Sequence, residues 1–409
     1  MYDGKHDLMG WRTTSDLDQF AAAAGGYLRS RAAENTLLLS AAQAARSGPA
    51  GRHARGAAPQ PVAEPGLLFG WWEPPDGGEP RGAFVHDPAL PLLISGRAPE
   101  MAAALAATLA KMGRQVSGVD APTEAADAFA AAWSQRAGTA VRAHRTCRVY
   151  RLTAFPQGTP AHGTPASGAP PLSGTGAWPP PEMPGPVGRL RVATAEDQAL
   201  LADWLAAFAA EAAERLGSPS DVAADLISYG GAVFWEVPQK PSRIREAAHY
   251  LPIPHHRDPV QCWEAVALAT LTRPVAGTVR ISMVYTLPER RRNGHAVALT
   301  QAVSRALLTG VAPVAPVAPV APAEPAGVSH AVPGLLGSAA VHGCIREVVM
   351  ITDKNRPDHR GGRFGYQLVS ERAVLRFGPA TGPMPRTPPT KSLLRLPTGP
   401  LPRLPRLRG

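Results

Sequence analysis

The segment Val279–Leu308 constrains the fold of this 409-residue chain more than any other. Its first residues alternate between apolar and polar until Pro288, which predicts a strand over 278–286. Apolar residues then recur at helical spacing and predict a helix over 294–309. A strand that leads directly into a helix is a building unit of sheets covered by helices, so we expect an α/β (α+β) fold.

The C-terminal half, residues 188–377, is predicted to form one domain around this segment. Thr194, with Asp197 three residues later, has the pattern of a helix cap, and the helix that it starts is predicted over 195–216. The other predicted elements of this half are a helix over 221–229 and strands over 189–192, 232–237, 264–271, 347–352, 366–369 and 373–377.

Residues 14–154 are predicted to form a smaller α+β domain that precedes it. The order of predicted elements is two helices, three strands, and then helix, strand, helix and strand. Trp71 and Trp72 lie in an apolar strand, where they are expected to belong to the core. The helices are predicted within 14–46, over 98–112 and from Thr123 to Trp133, and the strands over 67–73, 82–86, 92–95, 115–119 and 141–152.

Prolines and glycines, of which the chain has 45 and 40, are clustered, and this indicates ordered domains separated by unstructured stretches. Residues 155–187 are rich in both and are predicted to be a linker. A Val-Ala-Pro repeat marks a low-complexity insertion over 311–335, because no packed helix or strand tolerates proline at that period. Residues 1–13 and a basic, Pro-rich tail over 378–409 are predicted to be disordered.

The net charge of +10 raises the question of a nucleic-acid partner. The stretch 384–409 holds six arginines and lysines and no acid, so it supplies +6 of the +10. It has no aromatic residue to stack on bases and is typical of a solvated end, which argues against nucleic acid. No apolar run long enough to span a membrane occurs, and three widely spaced cysteines predict neither a disulfide framework nor a zinc site. We therefore expect a cytoplasmic protein without a bound metal.

The loop between the predicted strand and helix is strongly cationic, with arginines from Arg290 to Arg292 followed by the small residues Gly294 and Ala296. A strand that enters a helix through such a loop directs several free backbone N–H groups to one place, aided by the helix dipole. This arrangement predicts an anion site suited to a pyrophosphate. The patterns GxxxxGK[ST] and GxGxxG do not occur here, which excludes a Walker P-loop and a Rossmann loop.

The loop sequence Arg291–Ala296, RRNGHA, resembles the R/Q-x-x-G-x-G/A pyrophosphate loop of the GNAT acetyltransferases. As in that family, it follows a strand that ends in Val-Tyr-Thr-x-Pro-Glu, and the predicted order of elements around it is similar. The stretch Thr272–Gly277 and the pair Gly365-Tyr366 are similar to a bacterial subgroup with a long N-terminal domain. The resemblance covers about 188–377 and, more faintly, 14–154.

The resemblance implies a GNAT-type mixed, mostly antiparallel sheet flanked by helices, with acetyl-CoA as co-substrate. It implies direct transfer of the acetyl group to the amine of an acceptor that the sequence does not identify, and it leaves the oligomeric state open. The free backbone of the strand would bind the pantetheine arm and the loop amides would hold the pyrophosphate. The implied cofactor-binding residues are Val284, Tyr285, Thr286, Arg291, Arg292, Asn293, Gly294, His295, Ala296 and Asn355.

The segment 354–364 departs from the family pattern, because no Tyr precedes Gly365 and the usual general acid has no counterpart. Two interpretations remain open. Either the thiolate leaves without that acid, or the chain is a non-catalytic acyl-CoA-binding or regulatory protein. Glu264, at the start of a predicted strand, is the candidate general base, with Glu236 as a second. Adjacent histidines at 255 and 256 fit no standard zinc spacing, so no metal site is predicted.

Overall fold

The computed structural model describes residues 10–46, 66–74, 76–154, 186–212, 216–239, 262–309, 334–337, 345–355 and 365–379. These residues form seven α-helices around one twelve-stranded sheet that is mixed but mostly antiparallel, which confirms the predicted α/β fold. The predicted linker, insertion and basic tail lie outside the described residues, apart from a few residues at their ends. No helix in the described ranges is long and apolar enough to cross a membrane.

The N-terminal half contributes four helices and six strands. Helix α1 begins after Asp16, whose carboxylate accepts hydrogen bonds from the amides of Asp18 and Gln19. The helices are α1 (Leu17–Ser30), α2 (Thr36–Arg46), α3 (Pro99–Lys111) and α4 (Thr123–Ala137). The strands are β1 (Trp11–Thr14), β2 (Leu68–Trp72), β3 (Gly82–His86), β4 (Leu92–Ile94), β5 (Gly118–Pro122) and β6 (Thr139–Leu152).

Strand β1 begins within residues 1–13, for which the sequence predicts disorder. Trp11 is 3% exposed, and its ring packs edge-on against Trp72 at 5.5 Å and Phe84 at 5.3 Å. Its indole nitrogen also donates to the carbonyl of Met101 at 2.9 Å. A strand of four residues shows too little periodicity to be predicted, and the contacts that hold it come from distant residues.

The C-terminal half contributes three helices and six strands. Thr194 and Asp197 form the predicted capping box, and one 3₁₀ turn precedes the helix. The helices are α5 (Gln198–Ala212), α6 (Pro219–Ser228) and α7 (His295–Thr309). The strands are β7 (Arg189–Val192), β8 (Ala232–Pro238), β9 (Trp263–Leu271), β10 (Thr278–Thr286), β11 (Glu347–Asp353) and β12 (Gln367–Pro379). Strand β12 replaces the two short strands predicted over 366–377, because a register shift between Leu368 and Ser370 lets one strand continue.

The strand order is β1-β2-β3-β4-β5-β12-β6-β11-β10-β9-β8-β7. Each half has the same order of elements, namely a strand, two helices, three strands, a helix and a strand, and each ends in one further strand. These final strands are exchanged: β12 pairs with β5 of the N-terminal half, and β6 pairs with β11 of the C-terminal half. The chain is thus an internal repeat about an approximate twofold axis between β6 and β12. Helix α4 has no counterpart among the described residues of the second half.

Buried side chains cover both faces of this sheet. In the C-terminal half, one cluster lies beneath α7 and contains Ile281, Leu299 and Val303. A second cluster on the other face contains Trp204 of α5 and Met283. In the N-terminal half, Trp72 packs against the cluster beneath α3 and α4, and Trp71 packs against the one beneath α1 and α2. Both rings are only half-buried, so they pack against the two clusters from outside and are not the core residues that the sequence predicts.

Candidate functional site

The parallel strands β10 and β11 separate partway along their length. They pair from Thr278 and Glu347 as far as Ile281 and Met350. Beyond that point β10 stays paired with β9, and β11 stays paired with β6. A gap therefore opens between residues 283–286 of β10 and 351–353 of β11, and we name it the C-terminal fork.

A bulge in β10 produces this separation. The pairing with β9 shifts by one residue between Ile281 and Met283, and Ser282 is the extra residue. Ile281 packs beneath α7, whereas Met283 packs on the opposite face, although residues two apart in a regular strand share a face. The Ser282 hydroxyl is fixed by hydrogen bonds to the Thr270 hydroxyl at 2.8 Å and to the Thr270 carbonyl at 3.1 Å. The bulge leaves the fork side of 283–286 without a strand partner, as an edge to which an extended chain can bind.

Helix α7 begins beside the end of β10. A 3₁₀ turn over Pro288–Arg290 follows the strand, and the backbone then takes positive φ angles at Arg292 (66°) and Gly294 (79°). The first intrahelical bond runs from the amide of Ala298 to the carbonyl of Gly294 at 3.0 Å. The amides of His295 to Val297 therefore have no intrahelical acceptor and carry the positive end of the helix dipole. These amides are available to an anion, at the place where the loop sequence predicts an anion site.

Two of the three loop arginines are held by carboxylates. Arg290 donates to both oxygens of Glu264, at 2.8 and 2.7 Å. Arg291 donates to both oxygens of Glu211 on α5 at 2.8 Å, and its Nε donates to the carbonyl of Thr286 at 3.0 Å. Arg292 is exposed and makes no ion pair within the described ranges. Arg290 and Arg291 thus brace the loop against β9 and α5, and Arg292 is the arginine left to meet an anion.

A cavity of about 540 Å³ lies beside the start of α7, on the side away from the C-terminal fork. Its polar lining comes from Gln239, Glu264, Arg290 and His295. His295 is 8% exposed, and its Nδ1 has no hydrogen-bond partner in the part of the chain that the structure describes. Burial, aided by the charge of Arg290, lowers the pKa of His295, so the imidazole is neutral at pH 7. A neutral ring can donate to a ligand oxygen or accept from a ligand hydroxyl.

The two glutamates considered as general bases are both engaged in ion pairs. Glu264 lies six residues from Thr270 along β9, about 20 Å from the bulge at a strand rise of about 3.3 Å. The Glu264 carboxylate is paired with Arg290 and lies far from the bulge. Both facts favour a role in fixing the loop over a role as general base. Glu236 is 5% exposed, and its carboxylate is held by Arg189 at 2.8 Å and by Arg191.

Asn355 lies two residues after the end of β11, and its amide donates to Asp353 Oδ1 at 2.8 Å. Residues 356–364, where the family acid would lie, are outside the described residues. Tyr366, the next tyrosine along the chain, is buried beneath α7, and its hydroxyl is hydrogen-bonded to Ser304 at 2.7 Å. Burial raises the pKa of Tyr366. Its place in the core beneath α7, and not the pKa, is what keeps this phenol from acting as a free acid at the fork.

The described residues contain no group of three or more histidine, cysteine or acidic side chains that could hold a metal ion. The histidines at 255 and 256 lie outside the described residues. Cys147 on β6 is buried, and burial raises the pKa of its thiol to about 11, so the group is neutral at physiological pH. Cys262 is half-buried and forms no disulfide.

Comparisons with known proteins give likenesses in structure only. No protein-family profile matches the chain. No curated protein matches it in sequence. A Drosophila protein of known structure is 14% identical with a TM-score of 0.44, covering 91% of this chain and 99% of its own. A GCN5-related N-acetyltransferase from Sphaerobacter thermophilus is 13% identical with a TM-score of 0.38, covering 76% and 80%. A tandem GNAT protein from the clavulanic acid biosynthesis pathway is 13% identical with a TM-score of 0.37, covering 91% and 99%. Because these TM-scores are below 0.5, the likenesses carry no argument about what this chain does.

Proposed function

We propose that the C-terminal half binds acetyl-CoA and that the protein is an N-acyltransferase. The observation that carries this proposal is the coincidence of two features at one end of β10. The C-terminal fork opens there, and the unpaired amides of α7 lie at its mouth. A ligand with an extended amide-bearing arm and a pyrophosphate matches both features, because the arm can pair with a strand edge and the pyrophosphate can bind the helix N-terminus.

In this proposal the backbone of Val284, Tyr285 and Thr286 binds the pantetheine arm along the fork. The amide of Arg291 donates to the Pro288 carbonyl at 3.4 Å, so the amides from Arg292 to Ala296 hold the pyrophosphate. The exposed side chain of Arg292 adds a positive charge to that site. Asn355 follows the opposite arm of the fork, at the end of β11. The bulge at Ser282 then marks where the thioester lies, because the arm enters from the loop and runs toward the point at which the strands meet.

The transfer begins when the nitrogen of an acceptor amine attacks the thioester carbonyl carbon. A C–N bond forms, the carbonyl oxygen becomes an oxyanion, and the C–S bond then breaks to release the CoA thiolate. The amine loses its proton to a base or to water, and the thiolate takes up a proton. These residues position the donor, and the choice of acceptor depends on other parts of the protein.

A second candidate is an acyl-CoA-binding protein without transferase activity. The segment 354–364 contains no Tyr, and the hydroxyl of the adjacent Tyr366 is bonded to Ser304 within the core. Both candidates share the same ligand and differ only in whether the acyl group is transferred.

The proposal is tested by calorimetric titration of the full chain with acetyl-CoA. We expect saturable binding of acetyl-CoA and of free CoA, since the arm and the pyrophosphate are common to both. Release of the CoA thiol in the presence of a panel of amines, measured against buffer without amine, then separates the candidates. Binding with amine-dependent release supports the transferase, and binding without it supports the binding protein. The absence of binding at near-millimolar ligand contradicts both.

Replacing Glu264 by Gln separates its two possible roles. If Glu264 only fixes Arg290, removing a negative charge beside the pyrophosphate site should tighten acetyl-CoA binding by roughly 0.5–1 kcal/mol, or two- to fivefold. If Glu264 is the general base, acyl transfer should fall at least about a hundredfold with little change in affinity. We expect the first result. Glu124→Gln, at an exposed position on α4, controls for the change in net charge, and an equal gain in affinity there would contradict the local explanation.

A further inference from the structure

The N-terminal half contains the same strand-helix-strand unit as the proposed donor site. Strands β4 and β5 are parallel and pair from Leu92 and Val119 to Leu93 and Asp120, after which β5 continues to Pro122 without β4. We name the gap beyond Leu93 the N-terminal fork. We propose that Arg372 seals this fork, so that the protein binds one acyl-CoA per chain. The proposal rests on the function assigned above to the C-terminal fork.

Arg372 belongs to β12, the strand that the C-terminal half inserts beside β5, and it is 2% exposed. Its Nε donates to Asp120 Oδ1 at 2.7 Å, and one terminal nitrogen donates to the backbone carbonyls of Asp120 at 2.8 Å and Ile94 at 3.3 Å. The guanidinium therefore reaches across β5 to β4 and spans the two strands where they separate.

The Ile94 carbonyl is the group that an incoming chain would need. The amide of Ser95 donates to Ala83 on β3, and in a trans peptide the preceding carbonyl points the opposite way. The Ile94 carbonyl thus faces the N-terminal fork, and Arg372 already occupies it. A pantetheine arm would have to displace a buried guanidinium and leave the Asp120 carboxylate buried without its partner, which is strongly unfavourable.

The loop at the mouth of the N-terminal fork also differs from its counterpart. Residues 95–98 join β4 directly to α3, whose first residue, Pro99, has no N–H to offer. Arg97, the arginine of this loop, donates to the Val369 carbonyl at 3.4 Å and lies 3.7 Å from Glu34. This half therefore combines a closed fork with a poorer anion site.

Among the residues that the structure describes, the C-terminal fork has no comparable plug. Arg372 lies directly opposite Cys147 of β6, so the two side chains share one face of the sheet. On that face β6 presents Cys147 and Val149 beside the fork residues of β11. A valine side chain donates no hydrogen bond and a thiol donates only a weak one, so neither can close the fork as the Arg372 guanidinium does.

The test is the stoichiometry of acetyl-CoA binding to the full chain, with variants matched in the two loops. We expect one site in the wild type, none in Gly294→Asp, and one site of unchanged affinity in Arg97→Asp. Circular dichroism and the thermal midpoint of each variant establish that it is folded.

Two sites in the wild type, or one remaining in Gly294→Asp, would overturn the inference while leaving acyl-CoA binding intact. Loss of binding in Arg97→Asp alone would place the ligand at the N-terminal fork and overturn it as well. No binding by the wild type would overturn the proposed function and this inference together.

Discussion

Replacing Arg372 by Met should lower the free energy of unfolding by about 3–5 kcal/mol, the cost typical of removing one partner from a buried ion pair. Methionine keeps the length of the side chain but leaves the Asp120 carboxylate, and the carbonyls of Ile94 and Asp120, without the hydrogen bonds that Arg372 supplies. Urea unfolding followed by tryptophan fluorescence measures the difference.

A matched control lies in the same sheet. Arg148 on β6 pairs with Glu371 on β12 at 2.9 Å, but both side chains are about a third exposed. Arg148→Met should therefore cost less than about 1 kcal/mol. The double variant Arg372→Met with Asp120→Leu should recover much of the loss, because it removes both charges. Equal losses at Arg372 and Arg148 would contradict the role of Arg372 as a buried clamp.

Replacing Gly294 by Asp should weaken acetyl-CoA binding at least about a hundredfold, or roughly 2.7 kcal/mol. Gly294 immediately precedes α7, at a position where an aspartate carboxylate can accept hydrogen bonds from the first amides of the helix. The variant would supply its own anion to the site and repel the pyrophosphate. A Cβ at this position would lie 3.5 Å from Pro186, so the side chain has room.

Gly294→Asn is the control for this variant. Asparagine has nearly the same shape and tolerates the positive φ of 79° at Gly294, but it carries no charge. We expect the affinity of Gly294→Asn for acetyl-CoA to fall only a few-fold. Because the positive φ strains any side chain, the thermal midpoints of both variants should fall by a similar amount. Equal losses of affinity in the two variants would mean that backbone geometry, and not the anion site, governs binding.

Local patterns were sufficient to predict most elements of the fold. The capping pair Thr194 and Asp197, the alternation in β10 and the helical spacing in α7 each depend on neighbours within a few residues. The sequence also predicted the position of the loop between β10 and α7, where we propose the anion site. The bulge at Ser282 escaped prediction, because it depends on the register with β9 and leaves little trace in the order of apolar residues.

Contacts between distant residues could not be predicted from the same patterns. Arg290 and Arg291 look alike in a cationic run, and only the folded chain shows that Glu264 and Glu211 hold them. Arg372 lies 252 positions from Asp120, and nothing in either local sequence links the two. The exchange of β6 and β12 was hidden for the same reason, since both halves carry acceptable strand patterns and the sequence does not say which partner each strand chooses.

The exchange of final strands has a consequence for how the chain loses its structure. If the backbone were cut between residues 154 and 186, neither fragment would hold a complete sheet, because each would carry a strand that belongs between strands of the other. The fragments should therefore complement one another when mixed and stay incomplete when apart. In the intact chain the two halves should melt in a single cooperative transition, although their sequences resemble two independent domains joined by a tether.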